Sequence, residues 1–263
     1  MLQRSTAIKA LGLGAALSFS SLAFQATANA AIFRVSEEEF DADALPGVIT
    51  FSEFPLGTTN PIYQPSDYGA APSFPTVSFG GVFDGQTVGT GPIPPGAQPS
   101  GVVNGMPIGP LSLDLTSPQT FITTDSANPT SPVLSGTPRF DGPISILFDM
   151  DLAGISVGND AGFFDAIGGT KITAFARDGS VLGSFLNEET GIEFFGLMTD
   201  KGQNEIAGLQ FSFVDSEPAG FAIDNLRFAR SETVPEPASV IGILALGSLG
   251  AGSAFKRKQQ PKN

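Results

Sequence analysis

Two carboxylates, Glu53 and Asp224, stand where the surrounding pattern favours apolar side chains. Glu53 shares its alternation with Ile49 and Phe51, and Asp224 shares its own with Leu226 and Phe228. A charge that leans toward a core needs a partner. If the first and last strands of the fold are neighbours, the two acids converge on a structural Ca²⁺, a hard cation whose oxygen shell backbone carbonyls can complete. The competing reading has each acid at a strand end, bonded to loop amides or to Arg227, or solvated. A second acidic group, Asn159-Asp160 with Asp165, lacks the residue order of an EF-hand loop and reads as solvated loop acids. Glu37, Glu38 and Glu39 form a charge run of the kind usually found on a solvated face.

The remaining chemistry is narrowed by what the chain lacks. It has no Cys, hence no disulfide, thiolate metal site or cysteine nucleophile. It has no His, which removes the usual base of a serine triad and the commonest zinc ligand. A glycosidase needs only two carboxylates and survives this filter. Sugar recognition, however, usually leans on exposed aromatic faces, and here Trp is absent and Tyr63 and Tyr68 are the only tyrosines. The 23 Phe are more simply core. No catalytic residue is assigned.

The elements that must position these acids are short strands. In Leu209-Gln210-Phe211-Ser212-Phe213 apolar and polar residues alternate, which predicts a half-buried strand. Further strands are expected over 48–54, 76–83, 111–115, 120–123, 144–149, 154–157, 171–177, 181–186, 192–197 and 220–228. Asp178-Gly179 has the composition of a two-residue hairpin turn joining 171–177 to 181–186. Between Gly57 and Arg139 the chain is dense in Pro, Gly, Ser and Thr, which predicts few short strands separated by long surface loops. Many short strands without alternating helices point to an all-β fold, a two-sheet antiparallel β-sandwich of jelly-roll type formed by residues 31–233.

Both flanks of that domain read as targeting segments. Arg4 and Lys9 precede an apolar run from Ala10 to Phe24, and Ala28-Asn29-Ala30 supplies a small-residue cleavage pattern, so residues 1–30 are expected to be a signal peptide cut after Ala30. Residues 234–263 begin with Val234-Pro235-Glu236-Pro237. An uncharged run of 18 residues, Ala238 to Phe255, follows and then the basic cluster Lys256-Arg257-Lys258. As a helix that run measures about 27 Å, just enough for one span. The basic cluster is expected to stay cytoplasmic, leaving the domain outside. A permanent one-span anchor is the plain alternative. Between Ala31 and Pro237 the chain holds 7 Lys and Arg against 26 Asp and Glu, a net charge of −19. Such a surface repels phosphate backbones, so no nucleic-acid partner is expected.

The tripartite tail resembles that of the PEP-CTERM family of exported bacterial proteins. The resemblance implies a diderm host that makes extracellular polysaccharide and processing by an exosortase, a membrane-embedded cysteine protease-transpeptidase. Pro235, Glu236 and Pro237 would be the recognition element, and the span 238–255 would occupy the inner membrane only transiently. More loosely, Ile49-Thr50-Phe51-Ser52-Glu53 and Phe221-Ala222-Ile223-Asp224-Asn225-Leu226-Arg227-Phe228 are similar to β-sandwich domains that often precede such tails. The expected role is that of a non-enzymatic surface or extracellular-matrix protein, with a calcium-stabilised glycan-binding module as the alternative and a carboxylate-pair glycosidase behind it.

Overall fold

The computed structural model describes residues 32–43 and 47–229; the expected signal peptide with Ala28 and Ala30, and the whole tail from Pro235 to Lys258, lie outside the described residues. In chain order the elements are β1 (Ile32–Val35), α1 (Glu37–Asp43), β2 (Ile62–Tyr63), β3 (Val77–Gly80), β4 (Thr87–Val88), β5 (Val103–Asn104), β6 (Thr120–Thr124) and β7 (Pro132–Gly136). They continue with β8 (Ile144–Leu152), β9 (Gly154–Phe164), β10 (Thr170–Phe175), β11 (Val181–Leu186), β12 (Gly191–Thr199), β13 (Ile206–Phe213), β14 (Ala222–Ile223) and β15 (Leu226–Ala229). The chain is mostly β with almost no helix, and the strand pairs are antiparallel. Among the described residues no helix is long and apolar enough to cross a membrane.

Four strands pair in the order β1-β12-β9-β15, and six in the order β11-β10-β13-β8-β3-β2; a three-stranded sheet, β14-β7-β6, and the small pair β4-β5 complete the set. Alternation explains how they share one core. Ile155, Val157, Phe195, Leu197 and Phe228 from the four-stranded sheet join Ile146, Phe148, Ile172, Leu209 and Phe211 from the six-stranded sheet in a single buried cluster, with Ile122, Leu134 and Ile223 from the third. Phenylalanine rings meet edge to face through it, as in Phe195–Phe211 at 6.4 Å and Phe148–Phe228 at 5.9 Å.

The strands expected from period two are found at 120–124, 144–152, 170–175, 181–186, 191–199 and 206–213. Others depart from expectation. Residues 48–54 do not form a strand: only Ile49 bridges, to Leu226, and Phe51 takes a left-handed φ of 56°, which turns the chain out of a ladder. The stretch 111–115 contributes only the bridge Phe83–Leu113. The stretch 220–228 is split into β14 and β15 because Asn225 is left-handed, φ 51°. The Asp178-Gly179 hairpin is present, but only Gly179 has positive φ. Its amide donates to Ala176 O at 3.0 Å, so the turn spans 176–179 with Gly179 as its last, left-handed residue. The run Glu37–Glu39 opens α1, where Ser36 Oγ accepts from the Glu39 amide at 3.3 Å and Glu39 accepts back from the Ser36 amide at 2.9 Å. That reciprocal cap, with three acids at the positive end of the helix, accounts for a turn of helix that no apolar pattern announced.

The larger correction concerns β13, which is buried on both faces instead of one. Its polar residues face a second, small core of Phe83, Leu111, Phe175 and Ala207, closed by Leu113 and Leu147. The Pro- and Gly-rich chain after β3 supplies that cover, so part of it is lining and not surface loop. Gln86, carried by this segment, exchanges two hydrogen bonds with Gln210 at 2.8 and 3.1 Å, and Gln210 also donates to Ser145 Oγ at 2.8 Å. Reciprocal amides satisfy each other's donors and acceptors, which lets polar side chains sit under a lid without orphaned groups.

Candidate functional site

The Ile49–Leu226 bridge is a full reciprocal pair, with both N–H···O distances at 3.0 Å. Running antiparallel from it, Thr50 and Phe51 come alongside Asn225 and Asp224. The expected neighbourhood of the first and last apolar segments is therefore present, though through one bridge and not a ladder. Asp224 is fully buried. Its Oδ2 accepts from Asn128 Nδ2 at 3.0 Å and its Oδ1 from the Asn225 amide at 2.7 Å. Asn128, also buried, is held in turn by Thr130 Oγ1 at 3.3 Å, while Ser131 Oγ donates to Thr50 O at 3.3 Å. The loop 125–131 thereby joins the two segments that carry the acids.

Glu53 folds back on its own turn. Its Oε1 accepts from the Thr50 amide and from Thr50 Oγ1, both at 2.9 Å. Its Oε2 is shielded from solvent and has no hydrogen-bond partner. Phe51 and Phe54, which flank it, both pack on the Tyr63 ring, at 6.0 and 4.6 Å between centroids. Tyr63 is fully buried and its hydroxyl is likewise without a partner. Burial, and then the carboxylates of Glu53, Asp67 and Asp224, push the Tyr63 phenol far above its ordinary value. The suggested Arg227 partner for Asp224 is engaged elsewhere: Arg227 Nη2 donates to Glu37 at 2.9 Å and Nη1 to Asp41. Among the described residues no three acidic side chains converge as a metal cluster.

The second acidic group is not brought together as a loop. Residues 158–164 continue β9, with Ala161 paired to Glu193, and the side chains of Asn159 and Asp160 lie outside the described residues. Asp165 is exposed, and its amide donates to Glu217 Oε1 at 2.7 Å.

Two buried acids went unnoticed in the sequence. Glu217 is fully buried and also accepts from the Ala166 amide at 3.2 Å; burial raises its carboxyl above the ordinary range, against the pull of those amides. Nothing in its Ser-Glu-Pro setting signals this. Glu193 is 3% exposed and bonds to Arg34, with the Glu188 amide at 3.0 Å and the Glu189 amide at 3.2 Å completing its shell. Here a signal existed, since Glu193 alternates in phase with Phe195 and Leu197.

Beside loop 125–131 lies a groove of about 370 Å³, lined by Asp125, Ala127, Phe140, Gly220 and Phe221. Gly220 has φ 71°, and a Cβ there would collide with the Phe140 carbonyl oxygen, which accepts from the Phe221 amide at 2.8 Å. Only glycine fits that approach.

Residues 233–258 match a protein family described as the PEP-CTERM protein-sorting motif. The match covers Pro235, Glu236 and Pro237, the uncharged run and Lys256-Arg257-Lys258, so the chain carries that sorting motif, as a PEP-CTERM sorting domain-containing protein does. The motif implies processing by an exosortase, and with it export and sorting to the envelope or surface. A comparison with curated proteins gives no match.

Proposed function

We propose that the chain is an exported, non-enzymatic β-sandwich protein of the cell surface or extracellular matrix, delivered through its PEP-CTERM tail. The observation that carries this reading is the sorting motif at 233–258 following an all-β domain with its own core. In this reading the signal peptide 1–30 starts export, the span 238–255 rests in the inner membrane with Lys256-Arg257-Lys258 on the cytoplasmic side, and an exosortase cuts near Pro235-Glu236-Pro237. The domain, jelly-roll-like in its two larger sheets, then meets the extracellular polysaccharide. Intact-mass measurement of the exported protein tests the reading. A product that starts at Ala31 and ends near Pro237 is expected, and material still carrying Asn263 would refute it.

A second reading, a glycan-binding module, is favoured by the groove beside loop 125–131, where the half-buried Phe140 and the Asp125 carboxylate offer a sugar an apolar contact and an acceptor. A glycan array probed with and without Ca²⁺ decides it: retained polysaccharide fragments support the module, and uniform silence removes it. Released sugar would instead favour the glycosidase.

A further inference from the structure

We infer that one end of the domain, marked by the rung Phe33–Met198–Gly154–Ala229, is the face turned to the lipid surface before processing, and that the groove points away from the membrane. This rests on the export reading, in which residues 1–30 and 238–255 both enter the inner membrane. The strand register carries the rest. Phe33 pairs with Met198, Met198 with Gly154 and Gly154 with Ala229, so the first and last described strands reach the same end of the four-stranded sheet. The chain enters β1 at Ile32 and leaves β15 at Ala229, three strand spacings apart, or about 14 Å. The exit point is held in place: the Ala153 amide donates to Ala229 O at 3.0 Å, and the Thr199 amide donates to Ala153 O at 2.8 Å.

Chain length limits how far this end can stand from the bilayer. Residues 25–31 separate the apolar run of the signal peptide from β1, and residues 230–237 separate β15 from the span that starts at Ala238. Fully extended, each connection reaches about 30 Å at most. The opposite end of the domain lies farther out. Strand β9 runs 11 residues from Gly154 to Phe164, about 30 Å of strand. Just past it, the Asp165 amide donates to Glu217, whose carbonyl accepts from the amide of Gly220 in the groove at 3.2 Å. The other groove wall, loop 125–131, is fastened through Asn128 to Asp224, ahead of the start of β15 and away from its exit. The groove is therefore carried at the end remote from both chain exits. Charge adds to the bias, because 7 Lys and Arg against 26 Asp and Glu from Ala31 to Pro237 disfavour laying the sides of the domain on an anionic leaflet.

Because the chain has no Cys, one introduced thiol carries a fluorophore at one place. Gln203→Cys labels the exit end, where Gln203 is exposed and its carbonyl accepts from Thr199 Oγ1 at 2.6 Å. Ile167→Cys, at a side chain 68% exposed, and Ser126→Cys, on the groove wall, label the far end. Each full-length variant is reconstituted into phosphatidylethanolamine–phosphatidylglycerol vesicles in which a fraction of the lipid carries a nitroxide quencher on its headgroup. Quenching of the Gln203→Cys label is expected to exceed that of either far label by roughly threefold or more, given the length of strand between the two ends. In chain that floats with the vesicles, equal quenching at the three positions, or stronger quenching at Ile167→Cys or Ser126→Cys, would overturn the orientation alone. Chain that does not float with them would overturn the reading of the tail, and this inference with it.

Discussion

Replacing Glu193 by alanine should lower the stability of the exported domain by about 3–5 kcal/mol, because it removes one partner of a buried ion pair and leaves the other charged. Arg34 is only 20% exposed at its side chain, lies 4.5 Å over the Phe195 ring, and has Glu193 as its buried counterion, with the exposed Glu188 at 3.5 Å. The Glu188 and Glu189 amides lose their acceptor in the same step. The double variant Arg34→Met/Glu193→Leu separates the two costs. It removes both charges and should recover most of the loss, leaving about 1–3 kcal/mol for the stranded amides. Urea unfolding measures both. A single variant within about 1 kcal/mol of wild type would mean that water solvates Arg34 in place. The pair matters because β1 runs from Ile32 to Val35 along β12, so Arg34–Glu193 fastens the first described strand to the four-stranded sheet.

The second large effect is expected in the tail. Changing Pro235, Glu236 and Pro237 together to alanine should convert the processed protein almost entirely into a full-length, membrane-bound form. Proline disfavours regular helix and biases the residue before it toward extended backbone, the form a protease grips, and alanine removes that bias. Pulse labelling with separation by size follows the conversion. Processing at the wild-type rate in the triple variant would show that the motif is a spacer, as a permanent anchor would have it. Replacing Lys256, Arg257 and Lys258 by glutamine provides the complementary test, since loss of the positive cluster removes the charge bias that fixes orientation.

Much of the fold was legible from strand composition, though burial follows polarity only loosely. Period-two alternation located β10 to β12 even though β10 is buried at five of its six residues and, in β12, Glu193 is buried while Ile192 is exposed. It misjudged β13, whose Gln210 and Ser212 are polar yet buried, because the cover comes from a distant segment that carries no strand signal and that supplies Gln86, 124 residues from its partner Gln210. The candidate acids illustrate the same limit. Asp224 is buried as its alternation suggested. Glu53 follows a left-handed Phe51 and bonds back to Thr50, neither of which alternation can express. Glu193 obeyed the very rule used for the other two, but its significance rests on Arg34, and four residues of β1 are too few to stand out. The sorting motif was the most readable feature because it is local: three parts in fixed order, legible without help from the fold.

Strand β15 ends at Ala229, four residues before the matched motif begins, and it lies at the edge of the four-stranded sheet. Any tether attached beyond it transmits mechanical force into the domain through that single strand. Tension along the strand axis is shared in shear by the rungs to β9, from Leu226–Val157 to Ala229–Gly154. Tension across the axis opens the Ala229–Gly154 rung first and peels the rest one at a time. The domain is therefore mechanically anisotropic, and the direction in which its attachment pulls will decide how long it survives flow.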